Sequence, residues 1–110
     1  MVLAAGIGSR LKPYTLRTPK PLMPLLGVPC IEFSLLQLKE AGVKSVVVNV
    51  HAHSDQMKAY LSREKDLQVQ ISDESSLLLG SAGGFRKALP LLESTPGKTE
   101  SFFALNADVV

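Results

Sequence analysis

The sequence contains a single cysteine, no tryptophan and no long apolar run. One cysteine excludes an internal disulfide framework and a cysteine-based zinc site, so we expect a reducing, cytoplasmic location. No apolar run approaches the roughly 18 residues that a membrane span needs. Residues 1–5 are apolar but lack the basic start of a secretory signal. These absences argue against the disulfide-rich secreted and membrane classes, and no membrane partner is expected.

Acidic residues are missing from the first 31 positions, which therefore carry a charge of +4, while the remaining residues sum to −2. Five of the seven prolines also fall in this stretch. The four basic residues of the stretch are Arg10, Lys12, Arg17 and Lys20. A basic segment stiffened by proline predicts a pre-shaped loop that attracts anions. Nucleic acid is not the expected partner, because the net charge is only +2 and Tyr14 is the one aromatic residue in the stretch.

Hydrophobic periodicity predicts strands and helices that alternate along the chain. The predicted strands are 1–5, 45–50, 67–71 and 102–105, the predicted helices are 29–41, 54–63 and 82–92, and the long loops are 6–28 and 73–81. This alternation predicts an α/β fold with a mostly parallel sheet covered by helices on both faces. We expect residues 1–110 to be the N-terminal part of one domain that continues further, because the chain ends on an apolar pair without a stop signal.

Local signals place the helix ends and the core. Pro29 suits a first helical turn, and Ser54 is the predicted N-cap of the second helix. The apolar residues Leu89, Leu91 and Leu92 of the last helix are predicted to lie in the core.

Three polar or glycine-rich segments follow predicted strands. They span residues 6–20, 74–84 and 106–108. Sites in parallel sheets lie beyond the carboxyl ends of the strands. The sequence therefore predicts a site where these segments converge.

The glycine loop that opens at Gly6 and Gly8 fits neither common nucleotide motif. The dinucleotide fingerprint needs a third small residue and an immediate helix, whereas this chain has Leu11 and then Pro13. The P-loop pattern also fails, because no Gly-Lys-Ser/Thr follows. The remaining interpretation is a loop whose backbone amides face phosphate oxygens, with Arg10 as a planar fork and Lys20 as a point charge.

Residues 3–24, read as LAAGIGSRLKPYTLRTPKPLMP, closely resemble the motif of the sugar-1-phosphate nucleotidyltransferases, or NDP-sugar pyrophosphorylases. Two later segments also resemble the family, LGSAGG at 79–84 and Asn-Ala-Asp at 106–108. Residues 48–57 resemble the mannose-1-phosphate guanylyltransferase and N-acetylmuramate-1-phosphate uridylyltransferase branches. The resemblance implies a three-layer α/β/α, Rossmann-like nucleotide-diphospho-sugar transferase fold, of which only the N-terminal nucleotide-binding half is present.

The resemblance also implies a reaction, in which a nucleoside triphosphate and a sugar 1-phosphate give an NDP-sugar and pyrophosphate. It implies Arg10, Lys20 and Asp108 as catalytic residues, with Asp108 binding Mg²⁺ through a hard oxygen ligand. The implied nucleotide contacts are Leu3, Ala5, Gly6, Gly8, Ser9, Arg10, Glu74, Leu79 and Gly80. Because the second metal-binding Asp and most sugar contacts of the family lie beyond residue 110, we expect these 110 residues alone to be inactive.

Several alternatives stay open at this point. A non-catalytic regulatory or assembly subunit would keep the fold and bind nucleotide or sugar without turnover, and a dinucleotide-dependent oxidoreductase is disfavoured by Leu11. The sequence leaves open which nucleotide and which sugar the protein uses. It also leaves open whether the protein forms a homo-oligomer. His51 and His53 lack an evident third ligand, so we expect them to be ordinary polar residues at a strand exit rather than a metal site.

Overall fold

Strands and helices alternate along the chain, as the sequence predicts. The computed structural model describes residues 1–5, 16–76, 80–95, 98–99 and 104–107. The strands are β1 (Val2–Leu3), β2 (Pro24–Leu25), β3 (Val28–Pro29), β4 (Ser45–Val50), β5 (Gln68–Asp73), β6 (Glu93–Thr95), β7 (Lys98–Thr99) and β8 (Leu105–Asn106). The helices are α1 (Cys30–Glu40), α2 (Ser54–Leu61) and α3 (Gly80–Leu92), and a 3-10 turn spans Lys20–Leu22.

The main sheet of the described residues has four parallel strands in the order β5-β4-β1-β8. Val2 of β1 lies opposite Val48 on one side and opposite Leu105 on the other. The chain therefore builds outward from β1 to β4 and β5, and then returns to the opposite side of β1. This is the order of the first four strands of a doubly wound nucleotide-binding sheet.

Helices cover both faces of this sheet. Successive side chains of a strand point to opposite faces, so alternate residues of β4 pack against different helices. Val46, Val48 and Val50 of β4 pack in the larger core cluster with residues of α1 and α2. Val47 packs in a second cluster with Ala88 of α3. The predicted three-layer α/β/α arrangement is confirmed. The continuous β-branched run from 46 to 48 predicts burial on both faces, and these residues are indeed buried.

The helix boundaries agree with the predictions to within two residues, but one predicted cap is wrong. Helix α1 starts one residue after Pro29 and is followed by Gly42 in the left-handed conformation, with φ of 82°. Helix α2 is not capped by Ser54, which already lies inside the helix. His53 precedes it in the left-handed conformation, with φ of 52°, and makes no side-chain capping bond.

The segment 6–28, predicted as an irregular loop, contains regular structure in its described part. After the 3-10 turn, β2 and β3 form an antiparallel hairpin in which Leu25 lies opposite Val28. Both residues of its tip, Leu26 and Gly27, have positive φ, at 54° and 80°. Tight hairpins favour such a turn, but usually with Asn or Asp at the first position. The Leu-Gly pair explains why no hairpin was predicted at this position.

The C-terminal part of the chain differs most from the predictions. Helix α3 begins at Gly80, two residues earlier than predicted, and a short β6–β7 hairpin that the sequence did not predict follows it. Leu89 and Leu91 are 41% and 40% exposed, so their predicted place in the core is wrong. The last strand spans Leu105–Asn106 rather than 102–105, of which 102–103 lie outside the described residues.

Candidate active site

The carboxyl ends of β1, β4, β5 and β8 lie along one edge of the parallel sheet. The strand order reverses at β1, because β4 and β5 lie on one side of it and the later strand β8 lies on the other. Such a switch point opens a crevice beyond the strand ends, where open α/β sheets bind their ligands. Leu3 of β1 pairs with Asn106 of β8, and the backbone N–H of Ala107 donates to the Leu3 carbonyl at 3.1 Å. By this rule, the ligand crevice of the fold is expected beyond the exits of β1 and β8.

Five of the predicted site residues lie in the described part of the chain, and the structure places four of them along this edge. Leu3 and Ala5 are at the exit of β1, Glu74 directly follows β5, and Gly80 begins α3 with φ of 72°. Lys20, the fifth, lies in the 3-10 turn. The predicted residues that lie outside the described part are Gly6, Gly8, Ser9, Arg10, Leu79 and Asp108.

Lys20 sits on a segment that is fixed by its neighbours. Pro19 and Pro21 on either side of it are buried, and the Leu22 N–H donates to the Pro19 carbonyl at 3.0 Å. Leu22 packs against the larger core cluster. Upstream, the Gln56 side chain of α2 donates from Nε2 to the Arg17 carbonyl at 2.7 Å. Because proline restricts φ, this backbone loses little further freedom when a ligand binds.

A buried polar pair lies behind the strand exits. The Asn49 side chain of β4 accepts from the Ala4 backbone N–H through Oδ1 at 2.7 Å. Its Nδ2 donates to Oε2 of Glu74 at 2.9 Å. Asn49 and Glu74 are only 2% and 1% exposed. Buried polar groups must be hydrogen-bonded to be tolerated, and this pair meets that requirement while joining the ends of β1, β4 and β5.

Helix α3 packs directly on this pair at Gly84. A Cβ atom at Gly84 would come within 2.8 Å of the Asn49 Nδ2 and 3.0 Å of the Glu74 Oε2. Only a residue without a side chain allows this approach. The second glycine of the LGSAGG segment thus has a packing role in the described structure.

Charged groups fix the end of β5 from both neighbouring helices. Lys58 of α2 pairs with the Asp73 carboxylate, and Lys87 of α3 donates to the Asp73 carbonyl. The hydrogen bond from Lys58, and those from Ser75, hold the pKa of the Asp73 carboxyl well below its usual range. His51 donates from Nδ1 to the Glu74 carbonyl, which fixes the next residue as well. The backbone at the β5 exit is therefore anchored on both sides.

The exit of β8 is anchored in the same way from α1. The buried Ser34 hydroxyl donates to the Asn106 carbonyl at 2.9 Å. Neither Ser34 nor Asn49 was predicted as a site residue. The available signal was a polar residue inside an apolar pattern, namely Asn49 within the run SVVVNV and Ser34 on the inner face of α1.

In the described part of the chain, no three His, Cys, Asp or Glu side chains lie close enough together to hold a metal ion. Asp108, the predicted Mg²⁺ ligand, lies outside that part.

Among the described helices, none is long and apolar enough to cross a membrane.

Comparison with known proteins identifies the class to which this fold and edge belong. A family model described as nucleotidyl transferase matches residues 1–110. The chain therefore belongs to the nucleotidyl transferase family.

Curated relatives make the comparison more detailed. An N-acetylmuramate alpha-1-phosphate uridylyltransferase from Neisseria meningitidis serogroup B is 39% identical over 112 residues, which cover 100% of this chain and 46% of the relative. A mannose-1-phosphate guanylyltransferase catalytic subunit beta from Drosophila pseudoobscura is 36% identical, over 100% of this chain and 29% of the relative. The chain thus spans less than half the length of these relatives.

A solved structure supports the fold alone. A CTP:phosphocholine cytidylyltransferase from Streptococcus pneumoniae matches with a TM-score of 0.69 at 24% identity, covering 97% of this chain and 43% of that one. The predicted α/β fold, covering the N-terminal part of its relatives, is confirmed by this match.

Proposed function

We propose that the protein is a sugar-1-phosphate nucleotidyltransferase, which forms an NDP-sugar and pyrophosphate from a nucleoside triphosphate and a sugar 1-phosphate. The pairing of β1 with β8 is the observation that carries the proposal. Because β1 and β8 are parallel neighbours, Ala5 and Ala107 stand at the same edge of the sheet, and in the sequence Gly6 and Gly8 follow the first exit and Asp108 follows the second. A triphosphate needs such a combination of backbone amides, cations and a carboxylate.

The proposed chemistry is an in-line displacement without a covalent enzyme intermediate. An oxygen of the sugar phosphate attacks the α-phosphorus of the triphosphate, and a new P–O bond forms. The bond between the α-phosphorus and the bridging oxygen breaks, and pyrophosphate leaves with that oxygen. The protein supplies positioning and charge neutralisation.

We assign roles to residues accordingly. The amides of Gly6, Gly8 and Ser9 hold the triphosphate, and Arg10 stabilises the leaving pyrophosphate. Lys20, held between two buried prolines, meets the α-phosphate or the sugar phosphate. The base is bordered by the backbone of Leu3 and Ala5 together with Glu74, Leu79 and Gly80.

We assign Mg²⁺ to Asp108, because a carboxylate is the kind of oxygen ligand that this hard divalent cation prefers. When bound, Mg²⁺ would neutralise charge on the phosphate oxygens. The proposal also includes a cytoplasmic location, based on the single cysteine, and catalysis that needs more chain than these 110 residues.

Release of pyrophosphate tests the proposal. The native protein is supplied with Mg²⁺, each of UTP, GTP, dTTP, CTP and ATP, and a panel of sugar 1-phosphates. Wild-type protein should turn over one pair preferentially. Arg10→Ala and Lys20→Ala should each lower kcat by about 10²–10³-fold, because each removes a charge aimed at the reacting phosphates. Lys12→Ala removes the same kind of charge from the same segment and should leave turnover largely unchanged.

Other outcomes would point elsewhere. Nucleotide binding without pyrophosphate release from any pair would contradict the enzyme and favour a non-catalytic regulatory or assembly subunit. Binding of NADH without binding of any triphosphate would favour the alternative hypothesis of a dinucleotide-dependent oxidoreductase.

A further inference from the structure

We propose that Asn49 is a positioning residue of the nucleotide site. Its side chain links Glu74 to the backbone amide of Ala4, just before the glycine loop, and so fixes the Ala4 backbone. The inference rests on the proposed function, because it concerns the backbone that leads into the loop assigned to the triphosphate. In this inference Glu74 also orients the Asn49 side chain, in addition to its proposed place beside the base.

The Ala4 amide stands at the point where the sheet opens. Val2 and Leu3 pair with β4 through the backbone, whereas the Ala4 N–H binds the Asn49 side chain instead of the next strand residue. Beyond this point β4 continues beside β5, where the Glu74 N–H donates to the Val50 carbonyl at 2.7 Å. A side chain therefore ends the β1 pairing, two residues before Gly6.

The Asn49 amide is held in one orientation. An asparagine side chain has one accepting end and one donating end, whereas a backbone N–H only donates. The Ala4 N–H at 2.7 Å therefore requires the Oδ1 end, and this leaves Nδ2 for the Glu74 Oε2 at 2.9 Å. Among the described residues, no buried side-chain polar atom lacks a hydrogen-bond partner, so the arrangement is satisfied.

The pair has no room to move. Gly84 of α3 closes over it, since even a single Cβ there would meet both side chains at 2.8–3.0 Å. Glu74 is itself fixed through its backbone by Val50 and His51. A site that binds phosphates through backbone amides gains from amides that are oriented before the ligand arrives. Asn49 fixes the backbone at Ala4, two residues before the first glycine of the loop.

Reversal of the hydrogen bond tests the inference. Asn49→Asp places two carboxylates face to face in a buried site, so the Ala4 contact should be lost. Glu74→Gln alone keeps an amide oxygen that accepts from Asn49. In the double variant Asn49→Asp/Glu74→Gln, the Gln amide donates to the Asp, and the Asp still accepts from Ala4. Gln70→Glu, on an exposed position of β5, is the control for the added charge.

Two measurements are made on the native protein. Steady-state kinetics gives KM for the triphosphate, KM for the sugar phosphate and kcat, and hydrogen exchange follows the Ala4 amide. We expect Asn49→Asp to raise the triphosphate KM about tenfold or more and to expose the Ala4 amide to exchange. The sugar-phosphate KM should change less. Gln70→Glu should stay within about threefold of wild type. The double variant should stay within about threefold of Glu74→Gln, which carries the same change beside the base. The Ala4 amide should remain protected in all three variants.

The inference is overturned if the double variant is no better than Asn49→Asp, or if Asn49→Asp behaves like wild type. An equal loss in both KM values and kcat would indicate general structural damage and would also overturn it. Wild-type protein that binds triphosphate without turnover would contradict the proposed catalysis, and triphosphate affinity would then replace KM in the same comparison. Wild-type protein that binds no triphosphate would overturn both.

Discussion

Substitution of Gly84 by alanine tests the packing of α3 against the buried pair most sharply. In most helices this change is favourable, because alanine exceeds glycine in helix propensity by about 1 kcal/mol. Gly84 does not have a positive φ, so its backbone would accept alanine. The added Cβ, however, would come within 2.8 Å of the Asn49 Nδ2 and 3.0 Å of the Glu74 Oε2. The two effects therefore oppose each other.

The magnitudes favour destabilisation. Overpacking of a tight site costs about 1–3 kcal/mol. Displacement of Asn49 from Glu74 removes a buried hydrogen bond, worth about 0.5–1.5 kcal/mol. After the gain in helix propensity, we expect a net loss of roughly 2 kcal/mol, which corresponds to a fall in Tm of about 4–8 °C for a domain of about 150–250 residues.

Thermal unfolding of the native protein is the assay for Gly84→Ala. The variants Arg86→Ala and Arg86→Gly, at an exposed position of the same helix, measure the alanine–glycine difference without the clash. If Gly84→Ala raises Tm by as much as that difference, the close approach of α3 to Asn49 and Glu74 is refuted.

Two further predictions concern the pH response and the hairpin. Asp73 is paired with Lys58 and has a lowered pKa, so this pair stabilises the fold above the unfolded pKa of about 3.9, and the contribution is lost as the pH falls below that value. Lys58→Met should therefore be less stable than wild type at pH 6 by denaturant unfolding, and the difference should shrink steadily as the pH is lowered from 4 to 2. A difference that stays constant over this range would contradict this. Leu26 is 93% exposed and has φ of 54°, which costs a leucine about 1–2 kcal/mol. Leu26→Asn should raise Tm by several degrees, and a lower Tm would show that the leucine makes a stabilising contact.

The parallel sheet could be predicted because its signals are local. The run at Ser45–Val50 has β-branched residues on both faces, which is typical of a strand buried between helices, and the strand has those bounds. The alternation of strands and helices then predicts that polar segments meet at one edge. Leu3 and Glu74 are found on that edge.

The remaining features depend on contacts that are distant along the chain. Asn49 binds Ala4, 45 residues away, and Glu74, 25 residues away. Hydrophobic periodicity does not predict which distant backbone or side-chain groups a buried asparagine will bind. Local signals also predicted wrongly that Leu89 and Leu91 lie in the core. Helix α3 packs on the sheet through Phe85, Ala88 and Leu92. The other two leucines lie on the exposed side of the helix.

Helix capping shows a similar limit. Ser54 is a common N-cap residue, yet α2 begins at it, and the preceding residue, His53, takes the left-handed conformation. The backbone path set by the exit of β4 decides the cap here, rather than the preference of the side chain. Propensity predicted the helix correctly and the capping residue incorrectly.

Nucleotide binding is the central claim, and calorimetric titration tests it most directly. The folded chain is titrated with each of the five nucleoside triphosphates in the presence of Mg²⁺, beside Arg10→Ala and Lys12→Ala. We predict saturable binding of one triphosphate that Arg10→Ala abolishes and Lys12→Ala preserves. Absence of binding to any triphosphate, by a chain shown to be folded and by the native protein in the same titration, would contradict the assignment of the β1–β8 crevice as a nucleotide site.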